Sequence, residues 1–135
     1  MKIKALSVVT PSGTLIARGE KTLEVRRWYP DITPDEDLLI IENRHYLRQD
    51  GEEDSDGHAV ALVRVKAVRA FERTDIAAAC ASYYEDGWLA WELTDIRPIS
   101  CDQKVVAARG IYQVELGDVL LTSGTLEQED QGREP

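Results

Sequence analysis

Ala17-Arg18-Gly19-Glu20-Lys21-Thr22-Leu23-Glu24-Val25-Arg26-Arg27-Trp28 is the stretch whose reading decides the fold. It sets Gly19, Lys21, Glu24 and Arg26 at the spacing Gly-x-Lys-x-x-Glu-x-Arg, after a short helical segment and at the opening of a strand. Successive side chains of a strand alternate faces, so Thr22, Glu24, Arg26 and Trp28 share one face and Leu23 and Val25 the other. The apolar pair belongs to a core, and the polar set lines a surface or a cleft.

On the N-terminal side, residues 2–9 are apolar on both faces, as in a strand buried on both sides. Thr10 suits a helix cap and Pro11 a first helical turn, where no amide hydrogen is needed. Leu15 and Ile16 then face inward, and Gly19 stops the helix in a left-handed conformation. The start of this helix, with Thr10, Ser12 and Gly13, has two readings: a set of free backbone donors for an anion or a base edge, or a capped plug at the end of a barrel.

On the C-terminal side, Leu38-Leu39-Ile40-Ile41 is a short strand followed by Glu42-Asn43-Arg44-His45. Gln49 to Gly57 is acidic and lacks an apolar anchor, which predicts an exposed, mobile hairpin loop. Ala59 to Phe71 is the longest strand; its alternation loses phase between Val65 and Val68, so a bulge is expected near Ala67. Thr74 and Asp75 start a helix that runs to about Tyr83. From Gly87, Leu89, Trp91 and Leu93 form one face of a further strand and Trp88, Ala90, Glu92 and Thr94 the other. Trp91 reads as core, whereas Trp88 is either core or a platform on which a base stacks. Lys104-Val105-Val106 allows a short extended piece, and a last strand starts at Gly110.

With 135 residues the chain is expected to form one domain, residues 1–122, followed by an acidic disordered tail, residues 123–135. No apolar run approaches the about 20 residues of a membrane span, and the N-terminus lacks a signal-peptide pattern, so a soluble cytoplasmic protein without membrane contact is expected. Cys80 and Cys101 lack metal-type spacing and read as two buried thiols, so no metal and no other cofactor is expected. The net charge of −9 disfavours a non-specific grip on nucleic acid, which depends on Lys and Arg neutralising phosphates. That charge is uneven: from Asp31 to Gly57 ten acids face only Arg44 and Arg48. Arg18, Lys21, Arg26 and Arg27, and later Arg64, Lys66, Arg69 and Arg73, lie where acids are few. They form either a local basic patch or ordinary solvated strand faces.

Four segments in order carry a resemblance: Ala5–Val9 with Pro11 and Gly19–Arg26; Leu38–Ile41; Gly87-Trp88-Leu89-Ala90-Trp91-Glu92-Leu93 leading to Arg97-Pro98-Ile99; and Gly110–Val114. Together they resemble the ASCH family, a branch of the PUA-like RNA-binding barrels, over residues 3–116. The resemblance implies an α+β, mostly β fold: a PUA-like β-barrel of about five to six strands with two or more short helices. It also implies RNA or a modified nucleoside as partner, in a cleft beside the strand that carries the Gly-x-Lys-x-x-Glu-x-Arg motif.

The residues themselves leave three readings open. Glu24 and Arg26 form a structural pair with each other or with Arg64 and Lys66; or Lys21 and Arg26 contact phosphate or a carbonyl while Glu24 accepts from the exocyclic amine of a base. In the third, Lys21 is a catalytic base steadied by Glu24. For the binding reading, Asn43, Arg44 and Trp88 complete the ligand set. Small bacterial relatives of the resembled family are amidohydrolases that deacylate N4-acetylcytidine with a lysine, a threonine and a glutamate. Lys21 matches that lysine, but the threonine position holds Glu24, Thr22 stands in only if the strand is bulged, and the remote glutamate has no counterpart. Ribonuclease activity, also attributed to parts of the family, finds no histidine pair here, since His45 and His58 both read as loop residues. A further alternative is a protein-interaction module that uses the acidic loop Gln49–Gly57 and the tail. The sequence leaves catalysis undecided.

Overall fold

The apolar runs form seven strands among the described residues: β1 (Lys2–Val9), β2 (Leu23–Arg26), β3 (Leu38–Asn43), β4 (Glu53–Ala70), β5 (Leu89–Pro98), β6 (Val105–Ala108) and β7 (Ile111–Glu115). The computed structural model describes residues 2–100 and 104–115, which also hold two short helices, α1 (Ser12–Ala17) and α2 (Ile76–Ala79). A single 3-10 turn, Arg73–Asp75, leads into α2. The tail and Cys101 lie outside the described residues.

Strand order along the sheet is β2-β5-β4-β3-β1-β7, with β6 paired to β4 off this path. β1 and β3 run parallel with Ala5 opposite Leu39, and the other pairs are antiparallel. The fold is α+β and mostly β, as expected, but it has seven strands rather than five to six and the sheet does not close into a barrel. β2 is four residues long, and pairing of β7 with β1 stops at Leu6 opposite Ile111. Across the remaining gap Arg26 Nη2 donates to the Ser7 carbonyl at 3.0 Å, a side-chain bridge where a barrel has a backbone ladder.

β1 and β3 are apolar on both sides because they feed two cores. Leu6, Leu38 and Ile40 pack on one face with Val63, Trp91 and Ile16 of α1; Ala5, Leu39 and Ile41 pack on the other with Ala59, Val105 and Ala107. Each such Leu or Ile contributes about 1.5–3 kcal/mol by leaving water. A third cluster, Leu23, Phe71, Ala79 and Ala90, fixes α2 against β2 and β5. The bulge expected near Ala67 is present as a register shift between Val65 and Ala67, with another between Leu62 and Arg64.

Several local expectations are corrected. The mobile acidic hairpin loop shrinks, because β4 already begins at Glu53, and Asp54 is buried beneath Asn43. Gly57 permits this: β6 crosses so closely that a Cβ there would collide with the Val105 carbonyl and come within 2.7 Å of Ile41 Cγ2. His58 is therefore a strand residue. α1 has no side-chain cap from Thr10. The Thr14 amide instead donates to Glu42 Oε2 at 2.9 Å, so this helix start is held by the protein's own carboxylate rather than offered to a ligand. α2 ends at Ala79, not Tyr83, because Cys80 turns left-handed at φ 51°. Cys80 is a free and exposed thiol, not a buried one.

Candidate functional site

The local sequence sets the site. Gly19, at φ 77°, ends α1 in the left-handed region that glycine enters without strain. The chain then turns sharply, with the Lys21 amide bonded back to the Leu15 carbonyl, and Lys21 enters the interior just before β2 begins. Its Nζ donates to the Ala79 carbonyl at 2.7 Å, at the end of α2, and stands 3.5 Å from Glu24 Oε1. Glu24 Oε2 accepts from Arg26 Nε at 2.8 Å. The alternation of β2 thus places Glu24 between two cations, both on its own strand or its lead-in.

Glu24 is 6% exposed and Lys21 7%. A buried carboxylate needs its lone pairs filled, yet Glu24 Oε1 receives no hydrogen bond from the described residues. Lys21 has three N–H donors, of which one is spent on Ala79 and one points toward Glu24, while Arg26 spends Nε and one Nη2 proton. Glu24 Oε1 is thus buried with an ion-pair neighbour, the Lys21 ammonium at 3.5 Å, but no hydrogen bond among the described residues.

These three side chains line a cleft of about 660 Å³ that opens where the two ends of the strand path fail to meet. β1 supplies Ser7 to Val9, and the end of β6 with the turn after it supplies Ala108, Arg109 and Gly110. The last residue of α2 and the segment after it give Ala79 to Tyr83, and the last residue of β3 and the segment after it give Asn43, His45, Tyr46 and Leu47.

Lys21, Glu24, Arg26, Asn43 and Trp88 come together in this cleft; Arg44 is exposed and stands outside its lining. Asn43 commits its amide to the His45 carbonyl at 2.7 Å and to Asp54 Oδ2 at 3.2 Å, so it shapes the wall and retains Oδ1. The Asp56 amide, with the Asn43 amide adding to it, holds the Asp54 carboxyl below its ordinary range against its burial. Trp88 packs its ring on Phe71 and Tyr83 at centroid distances of 6.4 and 5.3 Å and also lines the cleft, with Nε1 buried and without a hydrogen bond among the described residues. Trp91 is core, edge-on to Trp28 at 5.0 Å. Thr22 is not among the lining residues, so it does not take the place of the missing threonine. Arg64 and Lys66 take no part; Arg64 binds Asp37.

Reading from the sequence missed Ser7, the Ala79 carbonyl, Tyr46, Tyr83 and Arg109. A backbone acceptor has no residue signature. The tyrosines did have one, as large aromatics within otherwise polar segments.

The ASCH domain family matches residues 6–102. Among solved structures the fold is similar to that of the ASCH protein of Zymomonas mobilis, with 17% identity, 71% of this chain and 69% of that chain covered, and a TM-score of 0.55. It is also similar to a tyrosine-to-phenylalanine mutant of that protein (17% identity, 78% and 76% covered, TM-score 0.53) and to a serine-to-alanine mutant (17%, 76% and 72%, 0.52). At this identity the likeness concerns the fold. No curated protein matches the chain in sequence. The family match spans well over half of the chain and takes in all three residues of the buried triad, and the chain therefore belongs to the ASCH domain family.

Proposed function

We propose that the cleft receives a nucleobase, carried by RNA or by a modified nucleoside, and reads it with Lys21, Glu24 and Arg26. The observation that carries this is Glu24, a buried carboxylate in the cleft lining whose Oε1 has no hydrogen bond among the described residues and only the Lys21 ammonium at 3.5 Å. A small turn of the Glu24 side chain toward the cleft presents that acceptor to a ligand N–H. A base edge that presents an amine beside ring and carbonyl acceptors fits this pattern, and carboxylates pair with the cytosine N4 amine in this way. No described helix is long and apolar enough to cross a membrane.

The competing readings receive less support. Hydrolysis of an N4-acyl group needs Lys21 to take up a proton, but its N–H groups are directed at Ala79 and Glu24, and the threonine position is filled by the carboxylate that holds Arg26. A protein-interaction role for the acidic segment loses Asp54, which is buried against Asn43, while Asp50 and Asp56 stay exposed in weak surface pairs with Arg109 and Lys104.

Calorimetric titration of cytidine, N4-acetylcytidine and uridine into the parent and into Glu24→Gln tests the reading. Cytidine is expected to bind more tightly than uridine, and Glu24→Gln, whose amide can also donate to a carbonyl, is expected to erase that preference. Equal affinity of the parent for cytidine and uridine would remove Glu24 from base reading. Lys21-dependent release of cytidine from N4-acetylcytidine would turn the assignment to an amidohydrolase.

A further inference from the structure

We propose that Tyr112, which stands outside the cleft lining, is a positioning residue for Arg26: its hydroxyl fixes Ser7, and the Ser7 carbonyl fixes the guanidinium across the open seam of the sheet. This role concerns the same cleft and depends on how it is held together, not on which ligand fills it.

The direction of each hydrogen bond at this corner follows from counting protons. A phenol has one, and Tyr112 donates it to the Val106 carbonyl at 2.9 Å. Ser7 Oγ, at 2.8 Å from the same phenol oxygen, must therefore donate to Tyr112, and its lone pairs accept from the Ala108 amide at 3.1 Å. Burial pushes the Tyr112 phenol up from its ordinary value of 10.0, so the proton on which the arrangement depends stays in place through neutral pH. Ser7 is the one polar side chain between Ala5 and Val9, in a strand apolar on both faces, and these bonds satisfy its hydroxyl there. Two hydroxyls thus tie β1, β6 and β7 together, whereas the backbone pairs β6 with β4 alone among the described residues.

The open seam begins at the same place. Backbone pairing of β1 with β7 ends at Leu6 opposite Ile111, so the Ser7 carbonyl, one residue on, is free to accept from Arg26 Nη2 at 3.0 Å. Arg26 in turn donates through Nε to Glu24 Oε2 at 2.8 Å. An arginine side chain has many rotamers, and holding it in one costs entropy that a fixed acceptor offsets. On the β7 side of Ser7 no backbone ladder fixes that acceptor; Tyr112 and the Ala108 amide do. Ala108 also leads into the turn that carries Arg109 to the cleft, so one phenol sets the bases of two of its guanidinium groups.

The test reads the Nε–Hε signal of Arg26 by NMR in 15N-labelled parent, Tyr112→Phe, Ser7→Ala and the double variant. Arg69 Nε, bonded to Glu92 at 2.7 Å, is the reference within the same molecule. Each single variant is expected to speed exchange of the Arg26 Hε with water by about 2- to 10-fold, the effect of one hydrogen bond, while Arg69 keeps the parent's rate. The double variant is expected to go no further than either single one, because the two hydroxyls act in series. Cytidine affinity is expected to fall by a similar factor in Tyr112→Phe. Unchanged exchange at Arg26, equal acceleration at Arg26 and Arg69, or additive effects in the double variant would overturn the positioning role, as would a Tyr112→Phe protein that binds cytidine as tightly as the parent. Should Tyr112→Phe fail to fold, Ser7→Ala decides by the same signals. A parent that does not bind cytidine removes the nucleobase reading and leaves the role of Tyr112 to be decided by Arg26 exchange.

Discussion

Lys21 Nζ is bonded to the carbonyl of Ala79 at 2.7 Å, which joins the first cation of the motif to the last residue of α2 across 58 positions of the chain. The floor of the cleft and the seating of α2 therefore depend on one another. Lys21→Met keeps the apolar stem and removes the bond, leaving a buried carbonyl without its donor. A loss of about 1–3 kcal/mol is expected in urea unfolding, with amide exchange accelerated first at Ile76 to Ala81.

Among the described residues, Glu24 is the only carboxylate that Lys21 and Arg26 share. Glu24→Leu, close in length and without charge, leaves the buried Lys21 and the partly buried Arg26 without the carboxylate between them. A destabilisation of about 2–4 kcal/mol is expected, reduced from the cost of breaking a fully buried pair because the Arg26 side chain is 24% exposed. The midpoint of urea unfolding is expected to fall with an unchanged slope.

Acid lability follows from three carboxyls held below their ordinary values. Arg69 bonds both oxygens of Asp75, Arg97 with Arg64 bonds Asp37, and the Asp56 amide with Asn43 bonds Asp54. A carboxyl lowered in the folded state contributes stability that is complete above its ordinary value of 3.8 and is lost as pH falls through the lowered folded value. Stability is thus expected to be level from pH 7 to about pH 5 and to fall below pH 4. Asp75 also accepts from the Glu72 amide in a capping box, so Asp75→Asn is expected to lower Tm by about 3–6 °C at pH 7, with the difference from the parent shrinking below pH 4.

Gly57 marks the closest approach of β4 and β6. Gly57→Ala forces its Cβ into the Val105 carbonyl and Ile41, and β6 is expected to detach from β4 at a cost of about 1–3 kcal/mol. Loss of exchange protection at Val105 to Ala108, with β1 and β3 still protected, is the signature to look for.

What the sequence disclosed depended on whether the decisive interaction was local. β1 and β3 were legible because both faces are apolar, and the bulge in β4 because Val65 and Val68 break phase within three residues. The assembly of Glu24 and Arg26 followed from strand alternation alone. The start of β4 was hidden: Glu53 to Asp56 look like loop, and only pairing with β6 some fifty residues later, together with the Asn43 bond that buries Asp54, makes them strand. Arg44 falls outside the cleft lining for a related reason. The chain leaves β3 at Asn43, so alternation no longer governs which side chains face the cleft, and His45 and Tyr46 line it instead. The open edge of the sheet, which makes the cleft, rests on a side-chain bridge from Arg26 to Ser7 that no periodicity announces.

The most direct test of the nucleobase cleft is the titration of cytidine into the parent, Lys21→Ala and Arg26→Ala, with circular dichroism confirming that each variant is folded. The expected result is saturable binding to the parent and at least about a 10-fold loss in each variant, the effect of removing one charge-assisted hydrogen bond. Folded variants that bind cytidine as tightly as the parent would contradict the account.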